Sequence, residues 1–126
     1  MNADEMRALA RRFFDAVEAG DIETVGEIYA PEAVIWHNTD GLVSTREQNL
    51  ETLRGFARLI SDRRYLDRRV QASADGFTQQ HVLHGRRRDG TAVSLAACVV
   101  CEVKDGRITR LDEYFDSAAL SPFLAR

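Results

Sequence analysis

Met6, Leu9, Phe13 and Val17 recur at helical spacing near the start of the chain, with Ala10 and Ala16 beside them. Apolar residues three and four apart fall on one face of a helix. The pattern predicts a first helix with Asp4 as its N-cap and Gly20 as its stop. Asp21 then caps a second, short helix carrying Ile22, Val25 and Ile28, with Pro31 beyond its end. Ala33 to His37 read as a short strand. "STREQNLETLRGFARLIS" reads as a third helix. Ser44 and Glu47 have capping-box spacing, and Leu50, Leu53, Ala57 and Ile60 form its apolar face.

From Tyr65 onward the period changes. Asp-Gly pairs stand at 75–76, 89–90 and 105–106, between runs rich in Val, Leu, Thr and aromatics. Asp-Gly between such runs is a hairpin signal. Four long antiparallel strands in a meander follow from it. "DSAALSPFLAR" then reads as a short helical tail, with Ser117 and Ser121-Pro122 as candidate starts. Helices first and sheet second predict an α+β domain with its helices across one face of the sheet. Strands of this length must twist and curl. A curled, mainly antiparallel sheet with helices over its open side is a cone with room inside for a small ligand.

Composition narrows the classes. The chain has 126 residues, about one domain, taken here as 1–126. Hydrophobic residues make up 44%, enough for one core and too many for a disordered chain. A net charge of −3 argues against nucleic acid as a partner. No apolar run approaches the ~20 residues that span a bilayer. "MNADEMRALARRFF" lacks the apolar stretch of a signal peptide, so a cytoplasmic location is expected. Cys98 and Cys101 lie three apart in "SLAACVVCEV", which reads as a strand. They then point to opposite faces and can neither bridge nor share a metal. The same alternation separates His81 from His84. With no phosphate loop and no nucleophile elbow either, neither metal nor nucleotide nor other cofactor is expected.

Two residues stand out. In "AVIWHNTDG", His37 ends an apolar strand just before a turn, while Trp36 faces the other way. Glu113, in "ITRLDEYFD", shares a strand face with Leu111 and Phe115. A carboxylate on an apolar face needs a reason, since burying it alone is costly. It serves either a buried ion pair or a pocket. Arg63, Arg64, Arg86, Arg87 and Arg88 are interspersed with Asp62, Asp67 and Asp89 and read as solvated surface.

"FFDAVEAGDIETVGEIYAPEAVIWHN", "VCEVKDGRITRLDEYFDSAAL" and the helix between residues 45 and 61 resemble the SnoaL-like group. That group belongs to the nuclear transport factor 2-like, or ketosteroid isomerase-like, superfamily. The resemblance implies a conical α+β barrel, often dimeric, that serves polyketide cyclases, limonene-epoxide hydrolase, ketosteroid isomerase, scytalone dehydratase and non-catalytic pocket proteins. It sets His37 at the isomerase's general-base position. Phe13 and Val99 stand where that enzyme has its two oxyanion donors, and neither can donate a hydrogen bond. Steroid isomerisation by that route is therefore rejected. Glu113 falls on the hydrolase's water-activating aspartate, and cyclases of the group use an acidic residue near the same position. Gln80 and Val82 fall on the hydrolase's other two charged positions, so that triad is broken.

The implied function is a pocket protein in which His37 and Glu113 do general acid–base chemistry on a small apolar carbonyl or epoxide compound. It would act as a cofactor-independent isomerase, cyclase or hydrolase. The alternative is a non-catalytic ligand-binding or dimerisation module. Phe13, Val17, Ile35, Phe56, Val99 and Leu111 would wall the pocket. A three-residue loop at 104–106 would pair Val103 with Arg107, Val99 with Leu111 and Ala97 with Glu113. At the preceding hairpin the loop decides whether Gln80 or His81 faces inward, and the resemblance favours Gln80. Both faces of "AVSLAACVVCEV" are apolar. One can line the pocket, and the other needs a cover, so a homodimer through the outer sheet face is expected.

Overall fold

The computed structural model describes residues 1–124. Helix α1 spans Ala3–Ala19 and α2 spans Ile22–Ile28. Strand β1 (Tyr29–His37) and the short β2 (Val43–Thr45) follow, then α3 (Arg46–Leu59). Strands β3 (Ser61–Ala72), β4 (Gly76–Arg86), β5 (Ala92–Lys104) and β6 (Arg107–Phe115) form the meander, and α4 (Ser117–Leu124) closes the described chain. The six strands make one open sheet in the order β2-β1-β6-β5-β4-β3. Every neighbouring pair is antiparallel except β1 with β6. This is the expected cone-like α+β fold. The parallel pairing of the first long strand with the last is an addition that strand spacing alone did not predict.

Local chemistry moves two caps by a residue or two. Helix α1 is capped by Asn2, not Asp4. Asn2 Oδ1 accepts the Glu5 N–H at 2.8 Å, and Glu5 Oε1 accepts the Asn2 N–H at 2.9 Å. Asp4 instead supplies first-turn negative charge. Helix α3 is capped by Thr45 with Gln48, not Ser44 with Glu47. Ser44 is drawn into the β1–β2 ladder, opposite Ile35. Gly20 ends α1 at a left-handed φ of 73°, as its position predicts.

Bulges shape the sheet. In β3 the register slips at Ser61–Arg64 and again at Leu66–Arg69, where Asp62 and Asp67 adopt left-handed φ values of 51° and 54°. Bulges bend a strand and increase its twist. Here β3 wraps towards α1, and Arg68 bonds Asp15 at 2.7 Å and Glu18 at 2.9 Å. At 105–106 the loop has two residues, not three. Asp105 and Gly106 both take positive φ (52° and 76°), and Lys104 pairs with Arg107. A bulge at Thr109 then adds one residue to β6, since Val103 pairs with Ile108 but Glu102 with Arg110. The pairs are therefore Val99 with Glu113 and Ala97 with Phe115, whereas the three-residue loop required Val99 with Leu111. The bulge restores the parity that the shorter loop removes, so Val99, Leu111 and Glu113 still share the inner face.

The main core lies between α1, α2 and the inner sheet face, around Met6, Phe13, Val25, Ile28 and Ile108. A second cluster of Ile60, Val93, Leu95 and Phe123 fills the other end of the cone. Among the described residues no helix is long and apolar enough to cross a membrane.

Candidate active site

The chain leaves the sheet at His37 because Asn38 ties the strand end down. Asn38 N–H donates to the Glu113 carbonyl at 3.0 Å. Its side chain continues the ladder, with Nδ2 donating to the Phe115 carbonyl at 3.1 Å and Oδ1 accepting the Phe115 N–H at 3.0 Å. The turn then closes with the Gly41 N–H on the His37 carbonyl, Gly41 taking a φ of 67°. Strands β1 and β6 are thus locked in a register that puts His37 beside Glu113. Alternation sends Trp36 to the outer face, where its ring meets Tyr114 edge-on at 5.3 Å.

His37 Nε2 lies 3.1 Å from Glu113 Oε1, and each side chain keeps about a quarter of its surface open, 27% and 23%. The hydrogen bond that His37 donates to the Glu113 carboxylate raises the His37 pKa above its ordinary value. Burial pulls the other way, and the charges of Glu113 and Asp40 add to the rise. When His37 is protonated, the pair shares a proton between two groups that both keep partial contact with solvent.

The two side chains share a cavity of about 50 Å³ with Phe13, Val17, Val99 and Leu111. The structure brings these six predicted residues together. Three others it does not. Ile35 lies on the His37 side of β1 but is sealed into the core. Phe56 packs against the second cluster, one helical turn further along α3. Gln80 faces outward and lines a groove with Arg69, Val82, Cys98 and Tyr114. The loop at 87–91 pairs Arg86 with Ala92 and so sets Gln79 opposite Val99 and His81 opposite Ala97, all inward. The inward choice between Gln80 and His81 therefore falls to His81.

Five further residues line the cavity: Phe14, Tyr29, Asn49, Leu53 and Tyr65. Asn49 had a legible signal, a polar residue four positions before Leu53 on a helix stripe that is otherwise apolar. Tyr29 donates its hydroxyl hydrogen to Asn49 Oδ1 at 2.9 Å, and burial pushes its phenol pKa well up. The Tyr65 ring packs edge-on against Phe14 at 5.0 Å and His81 at 4.6 Å. Burial raises its phenol pKa too, so it stays protonated.

Behind Tyr65 lies a second polar pair. Gln79 Nε2 donates to His81 Nδ1 at 2.9 Å, which leaves the ring proton on Nε2. His81 Nε2 and Gln79 Oε1 are buried without partners among the described residues. Burial lowers the His81 pKa to about 4, so the ring is neutral. Cys101 faces inward and is buried, Cys98 faces outward, and both are free thiols. His84 faces outward and pairs with Asp62 at 3.3 Å. Among the described residues no three His, Cys, Asp or Glu side chains cluster as a metal site would require.

A sequence model described as the SnoaL-like domain matches residues 10–111. No curated protein matches the chain in sequence. Among solved structures, the chain resembles a candidate polyketide cyclase from Xanthomonas campestris pv. campestris. That match has a TM-score of 0.86 and 18% identity and covers 99% of this chain and all of that one. It also resembles an M. tuberculosis epoxide hydrolase of the LEH-like type (TM-score 0.78, 21% identity, 97% and 90% covered). A third is a Catenulispora acidiphila protein of ketosteroid isomerase-like fold in complex with trimethylamine (TM-score 0.79, 16% identity, 94% and 93% covered). At these identities the likeness is one of fold, which serves many chemistries. The sequence match, spanning most of the chain, goes further: this protein belongs to the SnoaL-like domain family.

Proposed function

We propose that this protein is a cofactor-independent acid–base catalyst acting on a small, largely apolar carbonyl or epoxide compound. The observation that carries the reading is the 3.1 Å contact between His37 Nε2 and Glu113 Oε1 at the open side of an apolar cavity. Glu113 serves as the base that takes a proton from the ligand or from water. His37, held towards its charged form, stabilises the carboxylate and relays the proton to solvent. Apolar walls strengthen every charge interaction at the site. The cavity, at about 50 Å³, admits only a few heavy atoms without movement of its walls. A thermal-shift screen of small ketones, aldehydes and epoxides tests this, followed by turnover of each hit by wild type and Glu113→Gln. Hits turned over equally by both proteins refute it.

A second reading, a non-catalytic pocket or dimerisation module, draws on the same small volume. The outer sheet face supports a homodimer in either case. Leu66, Val100 and Tyr114 are exposed there. Light scattering at micromolar concentration should give twice the 14.2 kDa chain mass, and a clean monomer would contradict it.

A further inference from the structure

A groove of about 680 Å³ lies between the end of α3, the tip of the β4–β5 hairpin and the last turn of α4. The cavity at His37 and Glu113 holds about 50 Å³ and shares no lining residue with it. Ile60 and Phe123 form the floor of the groove, both buried, and belong to the second cluster. They close over the sheet because position 85 is glycine. A Cβ there would collide with the Ile60 side chain and touch the Phe123 ring. Leu59 and Leu124 form the rims, 54% and 68% exposed. Floor and rims are therefore apolar carbon.

The hairpin tip adds charge on one side, where Arg87, Arg88 and Asp89 line the groove. The tip is held in place by its own bonds. The Arg87 N–H donates to the Thr91 carbonyl at 2.9 Å, and the Thr91 N–H donates to Asp89 Oδ1 at 3.0 Å. Arg87 Nη2 lies 3.3 Å from Asp89 Oδ2, so Arg87 and Asp89 neutralise each other. Arg88 makes no ion pair among the described residues, and Arg58, beside Leu59, is exposed. In a chain of net charge −3 this end is locally positive.

Carbon walls with an uncompensated guanidinium beside them match a molecule with one apolar chain and one anionic head. A guanidinium takes a carboxylate through two parallel N–H···O bonds, and burial of the chain adds affinity with each methylene. A cationic head would meet the arginines. A second copy docked through this surface about a two-fold axis would set arginine against arginine. A bilayer needs a broad apolar face, whereas the floor here is recessed between two leucine rims. We propose that the groove binds a single medium-chain aliphatic carboxylate, its chain on Ile60 and Phe123 between the leucines and its head on Arg88. The site is separate from the His37–Glu113 pair and does not depend on the chemistry assigned to that pair.

Isothermal titration calorimetry of the full chain with octanoate, decanoate and dodecanoate, each below its micelle concentration, tests this. One carboxylate should bind per chain, and each two added methylenes should tighten binding about tenfold. Dodecyltrimethylammonium, with the same chain and a cationic head, should bind about tenfold more weakly than dodecanoate. Arg88→Gln should weaken dodecanoate about tenfold and keep the chain-length increment. Leu59→Asp, which sets a carboxylate on the rim, should weaken it further. Both side chains are exposed, so the melting temperature should hold in each variant. Glu113→Gln should bind dodecanoate as wild type does, whatever becomes of its catalysis. No saturable binding, equal affinity for the two head groups, or wild-type affinity in both Arg88→Gln and Leu59→Asp overturns the site. So does loss of binding in Glu113→Gln, which would place the ligand in the inner cavity. Flotation with oleate-containing phosphatidylcholine vesicles, or a fall in mass by light scattering in Leu59→Asp, would also overturn it if free dodecanoate does not bind. The first would make the groove a membrane surface and the second a contact between copies.

Discussion

His37 and His81 both lie on the inner side of one curled sheet, and their surroundings set them to opposite states. His37 sits at the open edge, half-buried, against a carboxylate that raises its pKa. His81 sits deep in the wall with a neutral glutamine as its only polar partner among the described residues, and burial lowers its pKa to about 4. A charge partner and partial access to water make one imidazole able to carry a proton. Burial without a charge partner makes the other a fixed, neutral part of the wall. The residue type is the same, so the functional assignment rests on the neighbours.

The largest effect should come from removing the partner that separates the two. Glu113→Gln keeps the shape of the mouth and should lower turnover of the carbonyl or epoxide hits about 10²–10⁴-fold. Global stability should change little, because a half-buried charge is removed along with its partner's attraction. The matched change in the wall, His81→Leu, should leave turnover within a few-fold of wild type. A Glu113→Gln protein that turns the hits over at the wild-type rate would erase the distinction.

The two histidines should also bend the stability profile in opposite directions. His81 is harder to protonate in the fold, at about 4, than in the unfolded chain, at about 6.5. Its contribution is present above about pH 6.5 and is lost as pH falls towards 4. Between pH 7.5 and 4.5 wild type should therefore lose roughly 2–3 kcal/mol through this group, which His81→Leu should not. Urea midpoints at the two pH values check it, and equal losses in both proteins would remove His81 from the account.

Asn38→Ala should cost about 1 kcal/mol, since two hydrogen bonds to Phe115 disappear at an exposed strand end. The change should loosen the His37–Glu113 register without touching the wall. The ring signals of His37 should move while those of His81 stay. Denaturant unfolding and one NMR spectrum suffice to see it. Smallest is the His37 effect on stability. Its raised pKa makes its contribution fully present below about pH 6.5 and lost as pH rises through the folded value. Partial exposure keeps it under about 1 kcal/mol. Comparing urea midpoints of wild type and His37→Gln on either side of that range should show the difference shrinking as pH rises.

What the sequence could and could not convey divides along the same line. Glu113 was legible because a carboxylate among Leu111 and Phe115 breaks the alternation of an inward face. Phe13 and Val17 followed from helical period, and Val99 and Leu111 from the strand pattern. The wall was less legible, because it depends on quantities that a one-dimensional pattern lacks. The resemblance favours Gln80 over His81, and nothing in "RRRDGT" fixes the five-residue loop between Arg86 and Ala92 that turns His81 inward. The loop after Lys104 is one residue shorter than the three-residue turn expected at 104–106, and the compensating bulge at Thr109 has no residue signature of its own. Phe56 shares a helix face with Leu53, but one turn carries it to the other end of the cone. Tyr65 joins the cavity only through two bulges in β3, at Asp62 and Asp67, that no glycine announces.

The most direct test of the His37–Glu113 pair is an NMR pH titration of the histidine ring signals in wild type and Glu113→Gln. The account predicts that His37 titrates above 6.5 in wild type and that its midpoint falls when Glu113 is replaced. His81 should titrate near 4 in wild type and no higher in Glu113→Gln, because the Glu113 charge raises it. A His37 midpoint at or below 6.5 that Glu113→Gln leaves unmoved would contradict the pair, and with it the proposed chemistry.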